Sequence, residues 1–187
     1  LPNHRTEQAD AEQAYTQPLL QGTETWVILP RDRWAESWIK RGFKNPVCPL
    51  RLALYGHPDT GGLWEKHCEK HLLSSGFEPI TEWRSCFWHK ELELYLVLYF
   101  DDFKLSGPSE NLAKGWTLIR KGIETDVPHD MNLFLGCNHE ESVQTSPWTG
   151  KKVRVLTYNR QAYLEDAVPK YKELAGGTAL RKVTTPF

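Results

Sequence analysis

Two neighbouring carboxylates, Asp101 and Asp102, follow an apolar run from Leu94 to Phe100 and precede a second apolar stretch that starts at Phe103. This pattern predicts a strand, a tight acidic turn and a second strand. Two like charges at one hairpin tip repel each other, so they require water on both groups or a cation between them. Hard divalent metals with oxygen ligands suit such a place. The alternative is an ordinary hairpin whose turn contains Asp because Asp favours turns.

Asp10 is a third candidate carboxylate. It lies where a weakly predicted strand from Arg5 meets a stretch of good helix formers, Ala9 to Tyr15. Because Asp is a favoured N-cap residue, we expect a helix to begin at this position. The sequence thus predicts one carboxylate at a strand-to-helix junction and two at a hairpin tip.

The elements that must position these groups are predicted from hydrophobic spacing and turn residues. Strands and helices interleave around hairpins, which predicts an α+β layer fold. Trp34 and Trp38, four residues apart, are expected on one helical face. Besides the two strands around the doublet, the expected strands are 25–30, 85–88, 131–136 and 151–158, and the expected helices are 63–76, 109–123 and 159–176.

Two of these helices carry specific expectations. Ser109 is expected to cap the helix that begins with it. The last helix is expected to bend at Pro169 and to end at the Gly176 and Gly177 pair. Its side chains expected to face inward are Tyr163, Leu164, Ala167, Val168, Tyr171 and Leu174.

Composition limits the classes of protein that the chain can belong to. Its 187 residues, 40% hydrophobic and 12% aromatic, are typical of one globular domain with a sizeable core. The formal net charge of −1 leaves no global basic field for nucleic acid, so any such contact must be local. The four cysteines are widely spaced in a chain that does not need disulfides, which predicts free thiols and a reducing compartment.

The termini and hydropathy also carry expectations. No run of about 18 apolar residues occurs and the N-terminus lacks a signal-peptide core, so we expect an intracellular protein without a membrane. The chain opens without Met and runs almost at once into patterned sequence, so we expect a piece of a longer polyprotein.

Four short motifs occur in one order along the chain. They are Asp10–Tyr15 (Asp-Ala-Glu-Gln-Ala-Tyr), Ala53–Gly56 (Ala-Leu-Tyr-Gly) with Trp64 after it, Tyr99–Asp102 (Tyr-Phe-Asp-Asp) and Phe134–Gly136 (Phe-Leu-Gly). In this order they resemble the reverse transcriptase of copia-type LTR retrotransposons. The resemblance runs from about Gln8 to Tyr171.

The resemblance implies a fold and a division of the chain. It implies a right-hand polymerase palm, in which helices back an antiparallel sheet, with a partial thumb. Residues 1–140 would form the palm-like core, including a primer-grip-like segment, and residues 141–187 the connection and the start of the thumb helix. The fingers are expected to be largely missing, because only nine residues precede Asp10.

The resemblance also implies an activity, RNA-directed DNA synthesis, and the residues that carry it. Asp10, Asp101 and Asp102 would be the catalytic residues and would hold two Mg²⁺ or Mn²⁺ ions for phosphoryl transfer. Tyr15 would lie beneath the incoming sugar and exclude a 2′-hydroxyl, which predicts a preference for deoxynucleotides. The other substrate-binding residues would be Phe100, Asp59, and Leu135 with Gly136 in the primer-gripping segment.

Departures from the family's motifs modify these expectations. Asp59 stands where the family usually has a Gln that helps to place the nucleotide, and a carboxylate there would repel a triphosphate. Gly62 stands in place of an Arg. We therefore expect weak or no activity from this segment alone. The implied partners are an RNA template, a DNA primer, deoxynucleoside triphosphates, and the integrase and RNase H of the same polyprotein, in a cytoplasmic particle or the nucleus.

A zinc-binding domain is one alternative. Cys68 with His71, and Cys86 with His89, repeat a ligand-like spacing. Further possible ligands are His67, Cys137 and His139. Against zinc, Cys68 and His71 are predicted on a long helix and Cys86 in a strand.

A catalytically silent module that binds nucleic acid or protein is the other alternative. In it, the aspartates form only a turn, and the eight tryptophans build a core or a partner surface. Metal dependence separates the three hypotheses: Mg²⁺ or Mn²⁺ for the polymerase, tightly held zinc for the zinc domain, and neither for the silent module. Candidate contacts to nucleic acid are Trp34, Trp38, Trp148, Lys151, Lys152 and Arg154.

Overall fold

The computed structural model describes residues 3–177 of the chain. They divide into two compact units, the first ending at Asp130 and the second beginning at Met131. The class is α+β, as the sequence predicts, since the helices of the described residues accompany antiparallel sheets. The division into palm and thumb at residue 140 stays a prediction.

The first unit contains a six-stranded antiparallel sheet, a two-stranded sheet and three α-helices. The six strands have the spatial order β4-β5-β6-β7-β1-β8, so β1 lies between β7 and the edge strand β8. The bounds are β1 His4–Asp10, β2 Trp26–Ile28, α1 Glu36–Lys40, β3 Val47–Pro49, α2 Thr60–Ser74, β4 Phe77–Pro79, β5 Cys86–His89, β6 Leu94–Tyr99, β7 Asp102–Pro108, α3 Ser109–Ile119 and β8 His129–Asp130.

The predicted hairpins around the doublet are confirmed. β5 pairs with β6 and β6 pairs with β7, both antiparallel. Leu94, Leu96 and Leu98 in β6 alternate with more exposed residues, and Phe103 and Leu105 do so in β7. Because successive side chains of a strand point to opposite faces, these residues form one apolar face of the sheet.

Helices α2 and α3 supply the other half of the core. In α2 the buried residues Trp64, Cys68 and Leu72 are four positions apart, so they lie on one face of the helix. In α3 the buried set is Leu112, Gly115, Trp116 and Ile119. A Cβ on Gly115 would lie 2.3 Å from Cδ1 of Leu94, so this glycine allows α3 to pack closely on the sheet.

Three local predictions for the first unit were wrong. The expected helix from Ala9 to Tyr15 is instead the end of β1 followed by a single 3₁₀ turn, Ala14–Thr16. Pairing of β1 with β7 extends to Asp10 and overrides the local helix propensity. Ser109 does not cap α3, because Pro108 is the N-cap and the Ser109 hydroxyl donates to the Asn3 carbonyl at 2.7 Å.

The expected shared helical face of Trp34 and Trp38 is also absent. Trp34 follows a 3₁₀ turn, Arg31–Arg33, and precedes α1, whereas Trp38 lies within α1. The indole N–H of Trp34 donates to the Leu29 carbonyl at 2.8 Å. The two tryptophans therefore belong to different local structures.

The second unit, from Met131, consists of a three-stranded antiparallel sheet and one helix within the described residues. Its elements are β9 Leu133–Phe134, β10 Cys137–Thr145, β11 Lys152–Asn159 and α4 Gln161–Leu174, and their order in the sheet is β11-β10-β9. Pro169 lies inside α4, and the expected bend at this residue stays a prediction. The expected inward stripe was wrong: α4 has no buried residue, and Tyr163, Leu164 and Leu174 are exposed.

Candidate active site

The Asp doublet lies at the tip of the β6–β7 hairpin. Tyr99 pairs with Asp102, so Phe100 and Asp101 form a two-residue loop. Phe100 has a positive φ of 54°, and Asp101 is not among the described residues with positive φ. Positive φ at the first central position alone is the pattern of a type II′ turn, a position that favours glycine. A phenylalanine there stores backbone strain at the tip.

Both loop carbonyls are held by hydrogen bonds from outside the hairpin. The indole Nε1 of Trp64, on α2, donates to the Phe100 carbonyl at 2.7 Å. The Ala11 amide donates to the Asp101 carbonyl at 2.7 Å. Trp64 is only 2% exposed, so its indole is itself fixed by the core. These bonds from two distant segments maintain the strained turn.

Asp10 and Asp102 face each other across the β1–β7 pair. Because the Ala11 amide donates to the Asp101 carbonyl, Asp10 and Asp102 form a non-hydrogen-bonded pair. In pairs of this type the Cα atoms are about 4.5 Å apart, and the side chains lie closer together than in hydrogen-bonded pairs. Their chain neighbours Ala9 and Phe103 are fully buried on the helix-covered face. The two carboxylates therefore lie on the opposite face of the sheet.

Crowding of the carboxylates changes the acidity of Asp102. Burial, the negative charge of Asp10, a hydrogen bond with Asp10 and the charge of Asp101 together raise the pKa of Asp102 to about 6, with burial the largest cause. A carboxyl that shares a hydrogen bond with a neighbouring carboxylate retains its proton to higher pH. The carboxylates of Asp10 and Asp101 thus both act on Asp102 at this end of the sheet.

Tyr15 lies beside the same tip. Burial, the charge of Asp101 and the neighbouring Tyr55 raise the pKa of the Tyr15 phenol. The rings of Tyr15 and Tyr55 meet edge to face, with centroids 4.8 Å apart. Tyr15 also packs against the core, whereas Tyr55 is 54% exposed. Sequence reasoning named Tyr55 only as part of a motif and missed its contact with Tyr15.

Asp126 is a fourth carboxylate, which sequence reasoning missed. Its Oδ1 accepts a hydrogen bond from the Asp10 amide at 2.9 Å, although the two residues are 116 positions apart. Gln17, also missed, links the segments next to them. Its Nε2 donates to the carbonyls of Glu12 and Glu124, and its Oε1 accepts from the Glu124 amide. No local pattern in the sequence signals either residue.

The remaining predicted residues belong to other elements. Asp59 is exposed and occupies the N-cap of α2 without a capping side-chain bond, and its amide donates to Nδ1 of His57 at 3.2 Å. Leu135 and Gly136 belong to the second unit, where they form the β9–β10 turn, both with positive φ. The structure brings together Asp10, Asp101, Asp102, Tyr15 and Phe100.

The residues considered for zinc have other partners. Cys68 is fully buried in the core, and Nε2 of His71 lies 3.0 Å from the Leu118 carbonyl. The Tyr95 hydroxyl donates to the Cys86 thiol at 3.3 Å. All four cysteines are free thiols, as predicted. Nδ1 of His89 accepts from the Leu92 amide at 3.3 Å.

Across residues 3–177, no group of three or more His, Cys, Asp and Glu side chains is already arranged to hold a metal ion. None of the helices in that part of the chain combines the length and hydropathy of a membrane span. No protein-family model matches the chain, and no curated protein matches it.

Proposed function

We propose that the first unit is the palm of an RNA-directed DNA polymerase of the retrotransposon type, with Asp10, Asp101 and Asp102 as its catalytic carboxylates. One observation carries the proposal: carboxylates far apart in the sequence meet at one end of an antiparallel sheet whose other face is covered by helices. The four-motif resemblance supplies the reaction class.

The chemistry of these residues fits divalent cations. Oxygen-only, carboxylate-rich sites are those that Mg²⁺ and Mn²⁺ prefer. The raised pKa of Asp102 reflects its burial and, after that, the neighbouring negative charges of Asp10 and Asp101. A cation favours the ionised form of each group and competes with the proton that Asp10 and Asp102 share. Asp10, Asp101 and Asp102 would hold a pair of such ions, which would supply the positive charge that a triphosphate and an ionising 3′-hydroxyl require.

The chain's own residues position the reactants in this proposal. Asp10 and Asp102 present their oxygens from adjacent strands, and the anchored turn fixes Asp101 beside them. Tyr15, supported by Tyr55, forms an apolar surface next to Asp101, where it would contact the sugar of a deoxynucleotide and exclude a 2′-hydroxyl.

Further parts of the proposal concern partners. Leu135 and Gly136 would contact the primer strand, and the template would be RNA. Asp59 adds a negative charge at the N-terminus of α2, which would weaken attraction of a triphosphate there. We therefore expect low activity, with the other polyprotein domains supplying what this segment lacks.

Primer extension on poly-rA/oligo-dT, in Mg²⁺ and separately in Mn²⁺, tests the proposal. The 187-residue chain is compared with Asp101→Ala and with Asp130→Ala, which removes an exposed carboxylate away from the tip. Extension that Asp101→Ala abolishes and Asp130→Ala retains would support the polymerase.

Mn²⁺ binding, followed by electron paramagnetic resonance, is measured on the same three proteins. Binding that Asp101→Ala removes, without extension, would support the metal site and reduce the function to a degenerate copy. Neither extension nor Mn²⁺ binding would contradict the proposal and favour the silent interaction module.

A further inference from the structure

Asp10 has an unusual partner on the side of β1 that faces away from β7. Its amide donates to Oδ1 of Asp126 at 2.9 Å, and its carbonyl accepts from the Asp126 amide at 3.0 Å. Because Asp10 and Asp102 form a non-hydrogen-bonded pair, both backbone groups of Asp10 point toward Asp126. One residue thus satisfies both, using its side chain for one bond and its backbone for the other.

This contact sits within a short run of cross-links. Ala11 forms a bridge with Thr125, and the Glu12 amide donates to the Glu124 carbonyl at 2.9 Å. Gln17 then joins these same two segments through three hydrogen bonds. The backbone that carries Asp10 is therefore fixed on one side by the hairpin tip and on the other by residues 124–126.

β8 does not reach this point, since its pairs with β1 involve only Gln8 and Glu7. At Asp10 the Asp126 carboxylate takes the place of a neighbouring strand. A side-chain oxygen that accepts a backbone N–H at 2.9 Å makes a well-formed hydrogen bond whether or not the side chain is charged. Such a bond at this position restricts the backbone from which the Asp10 carboxylate projects.

We infer that Asp126 is a positioning residue that fixes Asp10 for cation binding through its hydrogen bond to the Asp10 amide. The inference rests on the proposed function for the role of Asp10, but the hydrogen bond itself does not. Its essential feature is an acceptor oxygen at the Asp126 position, and the negative charge is secondary. Asn retains that acceptor, whereas Ala removes it.

The test compares Asp126→Ala, Asp126→Asn and the matched carboxylate removal Asp130→Ala in the full chain. The first readout is hydrogen exchange of the Asp10 amide, measured by NMR without metal. We expect Asp126→Ala to accelerate exchange about tenfold or more, and the other two variants to change it by less than about threefold. The second readout is Mn²⁺ affinity, which Asp126→Ala should lower about 10- to 100-fold.

Each outcome decides a different point. Unchanged Asp10 exchange in Asp126→Ala would overturn the inference, and so would an equal loss of Mn²⁺ affinity in Asp126→Asn, because charge would then be the cause. Absence of Mn²⁺ binding by the unmodified chain would contradict the proposed function, while the exchange measurement would still test the bond.

Folding of the variant is checked by circular dichroism. If Asp126→Ala does not fold, Asp126→Glu takes its place, because one added methylene displaces the acceptor while the charge remains. Accelerated Asp10 exchange in that variant supports the inference, and unchanged exchange overturns it.

Discussion

Two hairpin tips, one in each unit, carry residues singled out from the sequence, and they are built differently. At the β6–β7 tip, Phe100 alone has positive φ and the loop carbonyls are held by Trp64 and Ala11. At the β9–β10 tip, Leu135 and Gly136 both have positive φ, at 50° and 70°, which is the type I′ pattern. Both tips place a large side chain at positive φ, but the type I′ position of Leu135 also accepts Asn and Asp, whereas the type II′ position of Phe100 favours glycine.

The strands behind the two tips also differ. β6 and β7 bury every second side chain, whereas no residue of β10 or β11 is buried. Strain at a tip persists only where the surrounding structure outweighs it. The first hairpin has that support from a packed core, so a buried hairpin can hold crowded charges in an unfavourable turn.

The largest expected effect tests this difference in burial. Leu105→Ala in β7 removes a fully buried side chain and should lower the free energy of unfolding by about 2–5 kcal/mol. Leu156→Ala in β11, where the side chain is 43% exposed, should cost less than about 1 kcal/mol. Urea denaturation followed by far-UV circular dichroism measures both. Equal costs would contradict the contrast between the hairpins.

The anchors of the two tips give the next effect. Trp64→Phe retains an aromatic ring but removes the donor to the Phe100 carbonyl, and should cost about 1–3 kcal/mol of unfolding free energy. Arg160→Met removes the donor to the Leu135 carbonyl, an exposed bond of 3.0 Å, and should cost less than about 0.5 kcal/mol. Thermal denaturation of both variants makes the comparison.

Trp116→Phe is the matched control for Trp64→Phe. It also removes an indole donor from the core, in this case the bond to the Glu7 carboxylate at 2.7 Å. Both changes destabilise the first unit. Only Trp64→Phe should also weaken Mn²⁺ binding, because Trp64, unlike Trp116, donates to a carbonyl of the β6–β7 tip. An equal loss of Mn²⁺ affinity in the two variants would assign Trp64 a purely structural role.

The parts of the fold that sequence predicts well depend on local pattern. The apolar alternation of β6 and β7 specifies a hairpin because the pairing partners are adjacent in the chain. The Asp doublet at its tip follows from the same alternation. The class and the α2 and α3 core faces are predictable for this reason as well.

The parts that sequence misses depend on distant contacts. Pairing with β7 keeps Asp10 in a strand where local propensity favours a helix, and Asp126 contacts Asp10 from 116 residues away. The apolar period of α4 correctly predicts a helix but not burial, because period alone does not supply a packing partner.

A smaller effect concerns the charge that the first tip carries. The folded pKa of Asp102, about 6, lies above the ordinary value of about 4, so the folded protein binds more protons between these two pH values. Its contribution to stability is therefore fully present below about pH 4 and is lost as pH rises through about 6. Asp102→Asn should remove this loss.

Relative to the unmodified chain, Asp102→Asn should have a free energy of unfolding that is about 1 kcal/mol higher at pH 7 than at pH 4. The gain is this small because solvent screens a partly exposed group. In the second hairpin, Glu141→Gln removes the attraction of Arg154, 3.8 Å away, and should give no gain at pH 7. Urea denaturation at pH 4, 5.5 and 7 measures both. A pH-independent effect of Asp102→Asn would contradict the crowding of the carboxylates.

The smallest effect distinguishes the two turn types directly. Asn adopts the left-handed conformation of type I′ turns readily, so Leu135→Asn should raise the free energy of unfolding by a few tenths of a kcal/mol, roughly 0.3. The first position of a type II′ turn favours glycine alone, so Phe100→Asn should give no gain.

Phe100→Gly relieves the strain but loses the edge-to-face contact with Tyr99, at 5.0 Å between centroids. Its net effect should therefore stay within about 1 kcal/mol of zero. Thermal denaturation of the three variants decides the point: a gain from Asn at position 100 equal to that at position 135 would mean that both tips are left-handed turns of one kind, and that strain does not separate the first hairpin from the second.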